Sequence, residues 1–345
     1  MEIMHRNFER TERLKAYIKN IEYYLPEQVE ENKNERLRQK TGIERRHVSA
    51  AQETAADMAV KVAEKLFTTV SRDSVDYLLF CTQSPDYYLP TSACILQDRL
   101  GISKHSGALD YNHGCTGYIY GLGLAKGLIE SGQAKNVLLL TAETYSKYIN
   151  PEDNAVLPLF GDGATATLIA AKDTNADGIY GFEYGTDGAG YRNLIVPVGG
   201  MRERYHDTEL KTATDKYGNT RTNRNLFMDG GAIMDFALDV VPATLDSILS
   251  KSSLTRQDID YYVFHQANHF MLRSLQKICR LGKLPYWDDI KEYGNTVSNS
   301  IPIALADMMQ TAEITKLDRV MLMGFGVGLS WGGCIVDLTS MTGEN

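Results

Sequence analysis

The sequence predicts an α/β fold that is built from two similar halves. Apolar runs of strand length alternate with helical stretches along the chain, which is typical of α/β proteins. The run Asp76-Tyr77-Leu78-Leu79-Phe80-Cys81 has a counterpart in Asp260-Tyr261-Tyr262-Val263-Phe264-His265. Cys115 lies 35 residues after Phe80, and Asn295 lies 31 residues after Phe264. Chance similarity of two buried strands would explain the first match, but the agreement in later spacing favours a duplicated fold.

The elements of the first half follow from periodicity and turn residues. The predicted strands are 16–23, 77–81, 108–111, 137–141 and, after a glycine turn, 161–169. The predicted helices are 54–67, 92–100 and 116–131. Thr54 is a suitable N-cap for the first helix. In the third helix, Gly117, Gly121 and Gly127 would permit close packing, and Gly132 stands in the C-cap position.

The second half repeats this order after a polar, loop-rich stretch at 172–226. Its buried strands are predicted at 260–265, 320–323 and 331–338. We therefore predict an N-terminal arm at 1–15, an N-terminal half at 16–180 that carries Cys115, and a C-terminal half at 181–345 that carries His265 and Asn295.

Composition excludes several broad classes of protein. The 345 residues include 36 Lys and Arg against 44 Asp and Glu, and the net charge of −8 argues against nucleic-acid binding. Apolar runs such as 137–140 are far shorter than the ~18–20 residues of a membrane helix, so no membrane span is predicted. The charged N-terminus lacks the apolar core of a secretory signal, which favours the cytoplasm. Five cysteines without CxxC spacing indicate reduced thiols.

Several familiar motifs fail in their structural context. Gly324-Phe325-Gly326-Val327-Gly328 lacks the last glycine of a dinucleotide fingerprint, and a strand rather than a helix is predicted after it. The G-x-S-x-G pattern at 328–332 fails for the same reason, because a nucleophile elbow leads into a helix. His265 and His269 are four residues apart, but no further ligand accompanies them at a recognised spacing, so no metal site is predicted.

Three polar residues stand at positions where α/β folds place their ligands. Cys115 lies between a buried strand and a helix, where the helix dipole and free backbone N–H groups would favour the thiolate. His265 ends a buried strand, and Asn295 precedes a helix, so we expect both to lie at the carboxyl ends of strands. A lone histidine or cysteine there is usually a packed core residue. Duplication, however, would bring all three together between the halves.

These residues lie in motifs that resemble the 3-oxoacyl-ACP synthase III family of the thiolase superfamily. The resemblance covers about residues 16–340. Its motifs are, in chain order, Lys40 to Arg46, Gly114 to Gly117, Phe160 to Ala164, His265 to Asn268, Gly294 to Thr296 and Gly324 to Gly332. The resemblance implies a five-layered αβαβα thiolase fold, a homodimer and a Cys-His-Asn active site.

The resemblance also implies a two-step reaction. Cys115 would take an acyl group from an acyl-CoA or acyl-ACP thioester, and the backbone N–H groups of Cys115 and Val327 would form the oxyanion hole. His265 and Asn295 would then stabilise the enolate that malonyl-ACP forms as it loses CO2, and attack on the acyl-Cys would give a 3-oxoacyl-ACP. The reaction serves fatty acid or specialised acyl biosynthesis, and it requires no metal and no organic redox cofactor.

Some positions depart from the family pattern. The tryptophan that stacks on adenine is missing, and Asn154 replaces an arginine, which favours a carrier protein or another pantetheine donor over CoA. Leu89 stands where a phenylalanine lines the partner's acyl pocket, and Phe160 is a second candidate for that pocket. Arg273 and Lys277 are candidates for docking an acidic carrier.

Alternative interpretations of the same residues stay open at this stage. His113 is a second acid–base group or only a packed ring. An acyltransferase that passes the acyl group to an O- or N-nucleophile would also use Cys115, although it has no enolate for Asn295 to stabilise. A scaffold that only binds acyl carriers would need none of the three residues.

Overall fold

The computed structural model describes residues 14–311, 314 and 316–341. The arm predicted at 1–15 lies outside the described residues except for its last two. Leu14 and Lys15 belong to the first strand, which begins two residues earlier than predicted. Among the described residues, no helix has the length and apolar character that crossing a membrane requires.

The first half of the chain forms a five-stranded sheet with helices on both faces. Its elements are β1 (Leu14–Tyr24), β2 (Gln28–Glu31), α1 (Glu35–Thr41), β3 (Arg45–Val48), α2 (Ala55–Leu66), β4 (Tyr77–Cys81), α3 (Ser92–Arg99), β5 (Gly107–Tyr111), α4 (Gly117–Glu130), β6 (Asn136–Glu143) and β7 (Gly163–Asp173). The strand order is β1-β7-β6-β4-β5. β4 is parallel to β5 and β6, while β7 is antiparallel to β6 and β1.

The second half forms a four-stranded sheet in the order β13-β14-β15-β8. Its elements are β8 (Ile179–Thr186), β9 (Leu194–Ile195), β10 (Thr212–Thr214), β11 (Thr220–Thr222), β12 (Phe227–Met228), α5 (Gly230–Lys251), β13 (Tyr261–Phe264), α6 (His269–Ile278), α7 (Ile290–Tyr293), α8 (Ser300–Gln310), β14 (Val320–Gly326) and β15 (Ser330–Val336). Three two-stranded pairs, β2 with β3, β9 with β12 and β10 with β11, lie outside the two main sheets.

The two sheets repeat one another strand by strand. β13 is parallel to β14, β14 is antiparallel to β15, and β15 is antiparallel to β8, as β4, β6, β7 and β1 are in the first sheet. Only the counterpart of β5 is reduced, to a single parallel bridge between Tyr262 and Tyr286. The strand pairing therefore matches the repeat predicted from 76–81 and 260–265.

Helices and sheets stack in five alternating layers. α2 and α3 cover the outer face of the first sheet, and α5 and α6 cover the outer face of the second. α4 and α8 lie between the sheets in a shared apolar core. The ends of strands from both sheets therefore meet around the central helices.

Local sequence signals explain the start of the outer helix α2 and the close packing of the central helix α4. Thr54 caps α2 as predicted, in a capping box in which its hydroxyl accepts from the Asp57 N–H and the Asp57 carboxylate accepts from the Thr54 N–H. Gly117 permits the Cys81 thiol to pack against α4. The role predicted for Gly127 is wrong, because a Cβ at that position would meet no atom within 4 Å.

Two strand assignments differ from the sequence prediction. β8 lies in the stretch 172–226 that was predicted to be loop-rich. It is an edge strand that contains two glycines, so its apolar pattern is weak. Asn295 was expected to follow a strand, but it follows the short helix α7, and its backbone forms an isolated bridge with Phe160.

Candidate active site

Three predicted residues line one small cavity between the halves. Cys115 lies between β5 and α4, His265 directly follows β13, and Asn295 lies between α7 and α8. All three side chains are buried, and they line a cavity of about 60 Å³ together with Phe160 and Phe325. The structure therefore brings the predicted residues together, although they come from distant parts of the chain.

Cys115 is held by the glycines of β14. A Cβ on Gly326 would lie 2.9 Å from the Cys115 sulfur, and a Cβ on Gly324 would lie 2.8 Å from the Cys115 carbonyl oxygen. Only glycine therefore lets this strand approach the nucleophile so closely. The backbone N–H groups of Val327 and of Cys115 itself form hydrogen bonds to the sulfur.

His265 is fixed by a hydroxyl on α8. Its Nδ1 lies 2.7 Å from Ser300 Oγ, and the same oxygen accepts from the Gln266 N–H at 3.4 Å. Among the described residues, Nδ1 is the one acceptor that the Ser300 hydroxyl contacts, so we assign the hydroxyl proton to this bond, which places the ring proton of His265 on Nε2. Burial lowers the pKa of His265 to about 3, so the ring is neutral at pH 7.

Asn295 is oriented through both its backbone and its side chain. The Asn295 N–H donates to the Leu159 carbonyl at 2.8 Å, and the Gly161 N–H donates to the Asn295 carbonyl at 3.0 Å. The Asn295 Oδ1 accepts from the Val297 N–H at 2.9 Å. This assigns Nδ2, which carries two protons, as the donor that Asn295 has left for a ligand.

The structure contradicts the expectation that Cys115 is a thiolate. Burial, with a smaller contribution from the negative charge of Glu143, raises the pKa of Cys115 to about 12. The hydrogen bonds from Val327 and Cys115 lower the pKa, but they do not outweigh burial. Cys115 is therefore a thiol at neutral pH, and it lies beside a neutral histidine.

The sequence prediction missed Glu143, a fully buried carboxylate at the end of β6. It accepts hydrogen bonds from the Gln83 N–H, the Ser84 hydroxyl and the Ser298 hydroxyl at 3.0 to 3.3 Å. Burial raises the pKa of Glu143 to about 8. The signal was present in the sequence, because an acidic residue closes the apolar run that follows the nucleophile helix α4.

The other predicted residues lie around this centre. Phe160 lines the cavity, whereas Leu89 lies on an exposed loop and contributes nothing to it within its own chain. Arg273 and Lys277 are exposed on α6. The His113 ring stacks on Tyr120 and its Nδ1 lies 3.0 Å from Thr116 Oγ1, contacts that favour a packed ring.

The structure gives the second histidine of the sequence pair a different partner. His269, the first residue of α6, contacts the Asp288 carboxylate through its Nδ1. His265 lies in the cavity instead. Within the described part of the chain, no group of three or more His, Cys, Asp or Glu side chains could hold a metal ion.

Comparison with known families identifies two matching segments. Residues 109–188 match the model described as 3-oxoacyl-[acyl-carrier-protein (ACP)] synthase III, and residues 249–338 match the model of its C-terminal part. The chain is 35% identical over 310 residues to a β-ketoacyl-[acyl-carrier-protein] synthase III of Clostridium perfringens, covering 89% of this chain and 92% of that relative. It is 35% identical over 337 residues to the protein of the same name from Clostridioides difficile, covering 94% and 99%.

A solved structure shows the same architecture. A crystal structure of a 3-oxoacyl-(acyl-carrier-protein) synthase III superposes with a TM-score of 0.91 at 46% identity, covering 94% of this chain and 99% of that one. The predicted thiolase-like αβαβα fold of two duplicated halves is confirmed by this similarity.

The protonation state of Cys115 can be tested by its alkylation rate as a function of pH. With a pKa of about 12, roughly one molecule in ten thousand carries the thiolate at pH 8. We expect the rate of iodoacetamide labelling of Cys115, followed by peptide mass spectrometry, to increase with each pH unit from 7 to 10. N-acetylcysteine provides the control and should level off in this range. A plateau for Cys115 near pH 7 would contradict the assignment.

Proposed function

This chain belongs to the 3-oxoacyl-[acyl-carrier-protein] synthase III family, and from that premise we propose that Cys115, His265 and Asn295 together perform its condensing reaction. The protein is an acyl-transferring condensing enzyme of the β-ketoacyl-ACP synthase III type. The observation that supports the roles of the three residues is their convergence on one buried cavity.

In the first step, the sulfur of Cys115 attacks the carbonyl carbon of an acyl thioester. A new sulfur–carbon bond forms, the bond to the carrier sulfur breaks, and the thiol proton of Cys115 leaves with the carrier thiol. The N–H groups of Cys115 and Val327 stabilise the oxyanion of the tetrahedral intermediate. Both N–H groups form hydrogen bonds to the Cys115 sulfur, which supports this role.

In the second step, a malonyl thioester loses CO2 in the same cavity. Its carbon–carboxylate bond breaks, and the electron pair becomes an enolate whose oxygen needs hydrogen-bond donors. The Nε2–H of neutral His265 and the Nδ2 group of Asn295 supply them. The resulting carbanion attacks the acyl-Cys carbonyl, releases the Cys115 thiolate and gives the 3-oxoacyl thioester; the thiolate then takes a proton from solvent.

We propose that the donor is an acyl-carrier protein or another pantetheine thioester rather than CoA. A cavity of about 300 Å³ near Asn154 contains Arg45 and Arg46, but both are already paired with carboxylates. Arg45 Nε lies 3.0 Å from Glu292, and Arg46 contacts Glu30. These cations are therefore compensated within the chain and have little charge left for nucleotide phosphates.

α6 connects the catalytic cavity to a basic surface. Asn268, its N-cap, and Met271 line the cavity, while Arg273 and Lys277 are exposed on the same helix. Malonyl-ACP would bring an acidic protein to this mouth, where cations steer association. We propose Arg273 and Lys277 as carrier-docking residues.

We also propose a homodimer that forms through the edge of the first sheet. β5 is the edge strand, and Leu109 on it is 41% exposed. The neighbouring loop exposes Tyr87, Tyr88 and Leu89, the last two at 82% and 81%. Large apolar side chains beside an unpaired strand edge are typical of an interface.

A cytoplasmic location is proposed on the basis of cysteine chemistry. All five cysteines are free in the structure, and four of them are buried. Unpaired thiols are typical of a reducing compartment.

Asn295→Ala is expected to separate the two steps. Acylation of Cys115 should stay within roughly threefold of the unmodified protein, because the oxyanion hole is unchanged. Release of CO2 from malonyl-ACP should fall by about 100-fold or more, because one enolate donor is lost. Intact-mass spectrometry measures the first step and radiolabelled CO2 the second. Asn223→Ala, outside the cavity, is the matched control. Unchanged CO2 release in Asn295→Ala would refute the role.

Reversing the two docking charges should weaken use of a carrier protein selectively. For Arg273→Glu combined with Lys277→Glu, we expect the KM for malonyl-ACP to rise about tenfold relative to the KM for malonyl-pantetheine. The effect should shrink at high salt. Lys211→Glu combined with Lys216→Glu, also exposed, makes the same charge change elsewhere. An unchanged KM ratio in the first variant would place the docking surface elsewhere.

The dimer proposal predicts twice the mass of one chain by light scattering. Leu89→Glu should shift the protein towards the monomer, because it places a charge in the proposed apolar interface. Leu210→Glu changes an equally apolar residue, 52% exposed, outside that interface and should leave the mass unchanged. A monomeric unmodified protein, or a Leu89→Glu protein that stays dimeric, would argue against this interface.

A further inference from the structure

A second and larger cavity adjoins the loop that carries the nucleophile. This cavity, the Gln83 chamber, has a volume of about 490 Å³. It is lined by Gln83, Pro85, Tyr88, Asn112, Tyr145, Tyr148, Leu194, Ile195, Val196, Val198, Gly199, Gly200, Leu226 and Val327. It is far larger than the cavity that contains His265 and Asn295, so it has room for the group that Cys115 carries.

The chamber begins next to Cys115. The Val327 N–H forms a hydrogen bond to the Cys115 sulfur, while the Val327 side chain lines the chamber. A Cβ on Gly114, the residue before the nucleophile, would lie 2.6 Å from Val327 Cγ1 and 2.7 Å from Gln83 Oε1. Leu194 lines both cavities. The amide of Gln83 is therefore part of the wall that adjoins the nucleophile.

Polar side chains occupy one wall of this chamber. Gln83 Nε2 donates to Asn112 Oδ1 at 2.8 Å, and Gln83 Oε1 accepts from the Tyr145 hydroxyl. The rest of the lining is largely apolar and includes Leu194, Leu226 and Val327. A chamber for a plain alkyl chain would need only the apolar wall.

Hydrogen bonds fix the backbone of Gln83 as well as its side-chain amide. Its own backbone N–H donates to the buried carboxylate of Glu143, and its carbonyl accepts from the Tyr148 hydroxyl at 2.7 Å. Since the backbone and the side chain are both held, the amide cannot easily turn away from a group that enters the chamber. Such preorganised groups are typical of binding sites rather than of solvated surfaces.

A primary amide offers two N–H donors and two acceptor positions on its oxygen. Among the described residues, one donor of Gln83 bonds to Asn112 and one acceptor position bonds to Tyr145. One donor and one acceptor position remain for a ligand. An alkyl chain that filled the chamber would bury them without partners, which disfavours binding.

Building on the proposed role of Cys115, we infer that the Gln83 chamber selects acyl groups that carry a hydroxyl or carbonyl oxygen over plain alkyl groups of the same length. Gln83 donates to that oxygen, and a hydroxyl proton can in turn reach Gln83 Oε1. The apolar wall at Leu194 and Leu226 then contacts the carbon chain. The chemistry at Cys115 is the same for both classes of acyl group; only their binding differs.

The test uses pantetheine thioesters, which do not depend on carrier docking. Matched pairs of equal chain length are compared, with and without a hydroxyl or oxo group at carbon 3, 4 or 5. The rate at which Cys115 gains each acyl mass is measured by intact-mass spectrometry. We expect at least one oxygenated donor to acylate Cys115 about tenfold faster than its alkyl match.

Two variants identify the source of this preference. Gln83→Leu, which is similar in volume, should reduce the rate ratio to near one, and Tyr145→Phe should reduce it in part by freeing the amide. Melting temperatures report whether each variant is folded. Gln133→Leu makes the same change at an exposed position after α4 and should keep the ratio of the unmodified protein.

The outcomes distinguish this inference from the proposed function. Alkyl donors that acylate Cys115 as fast as every oxygenated match, or a preference that survives Gln83→Leu, would overturn the inference while leaving the condensing role intact. Failure of every donor to acylate Cys115 would instead overturn the role proposed for Cys115, on which the inference rests.

Discussion

The buried carboxylate of Glu143 is the constraint on which both cavities depend. It connects the end of β6 to the loop after β4 through Gln83 and Ser84, and to the second half through Ser298. Ser298 follows Asn295 by three residues, and a Cβ on Gly117 would lie 3.4 Å from Ser298 Cβ. One acidic side chain therefore sets the relative positions of the chamber wall, the start of the nucleophile helix and the loop of Asn295. An apolar residue there would leave these donors unpaired.

The same burial has opposite effects on the two titratable groups of the site. It disfavours charge on either group, so the pKa of Cys115 rises while that of His265 falls. The result is a neutral thiol beside a neutral ring. In the proposed reaction, a neutral His265 with its proton on Nε2 is a donor for the enolate oxygen from the start. A charged imidazolium would have required a compensating group, and Glu143 bonds to other partners instead. The low-polarity environment that disfavours the thiolate also disfavours the malonyl carboxylate, which is lost as uncharged CO2.

Sequence reasoning predicted the parts of the fold that local patterns determine. The capped helix α2, the buried strands β4 and β6 and the positions of Cys115 and His265 follow from periodicity and strand ends. β8 was missed because an edge strand buries only part of its residues and its glycines resemble a loop. The predicted protonation state of Cys115 was wrong because a sequence shows where a helix dipole acts but does not show how deeply the thiol is buried. Gln83, Tyr145 and Leu194 come from separate segments of the chain, so no local pattern could have placed them in one chamber.

The two cavities have different proposed roles because they are built from different parts of the fold. The catalytic cavity is built where strand ends of both halves meet, and its glycines contact the nucleophile so closely that a Cβ at Gly326 would meet the sulfur. Changes there would disturb the chemistry itself. The chamber wall instead comes from the loop after β4, the loop after β6 and the segment near β9, which reach Cys115 mainly through Val327. Substitutions in these loops can change which acyl group is held without moving the groups that stabilise the oxyanion and the enolate. A condensing site can therefore keep one reaction while the preferred acyl group changes with a few loop side chains.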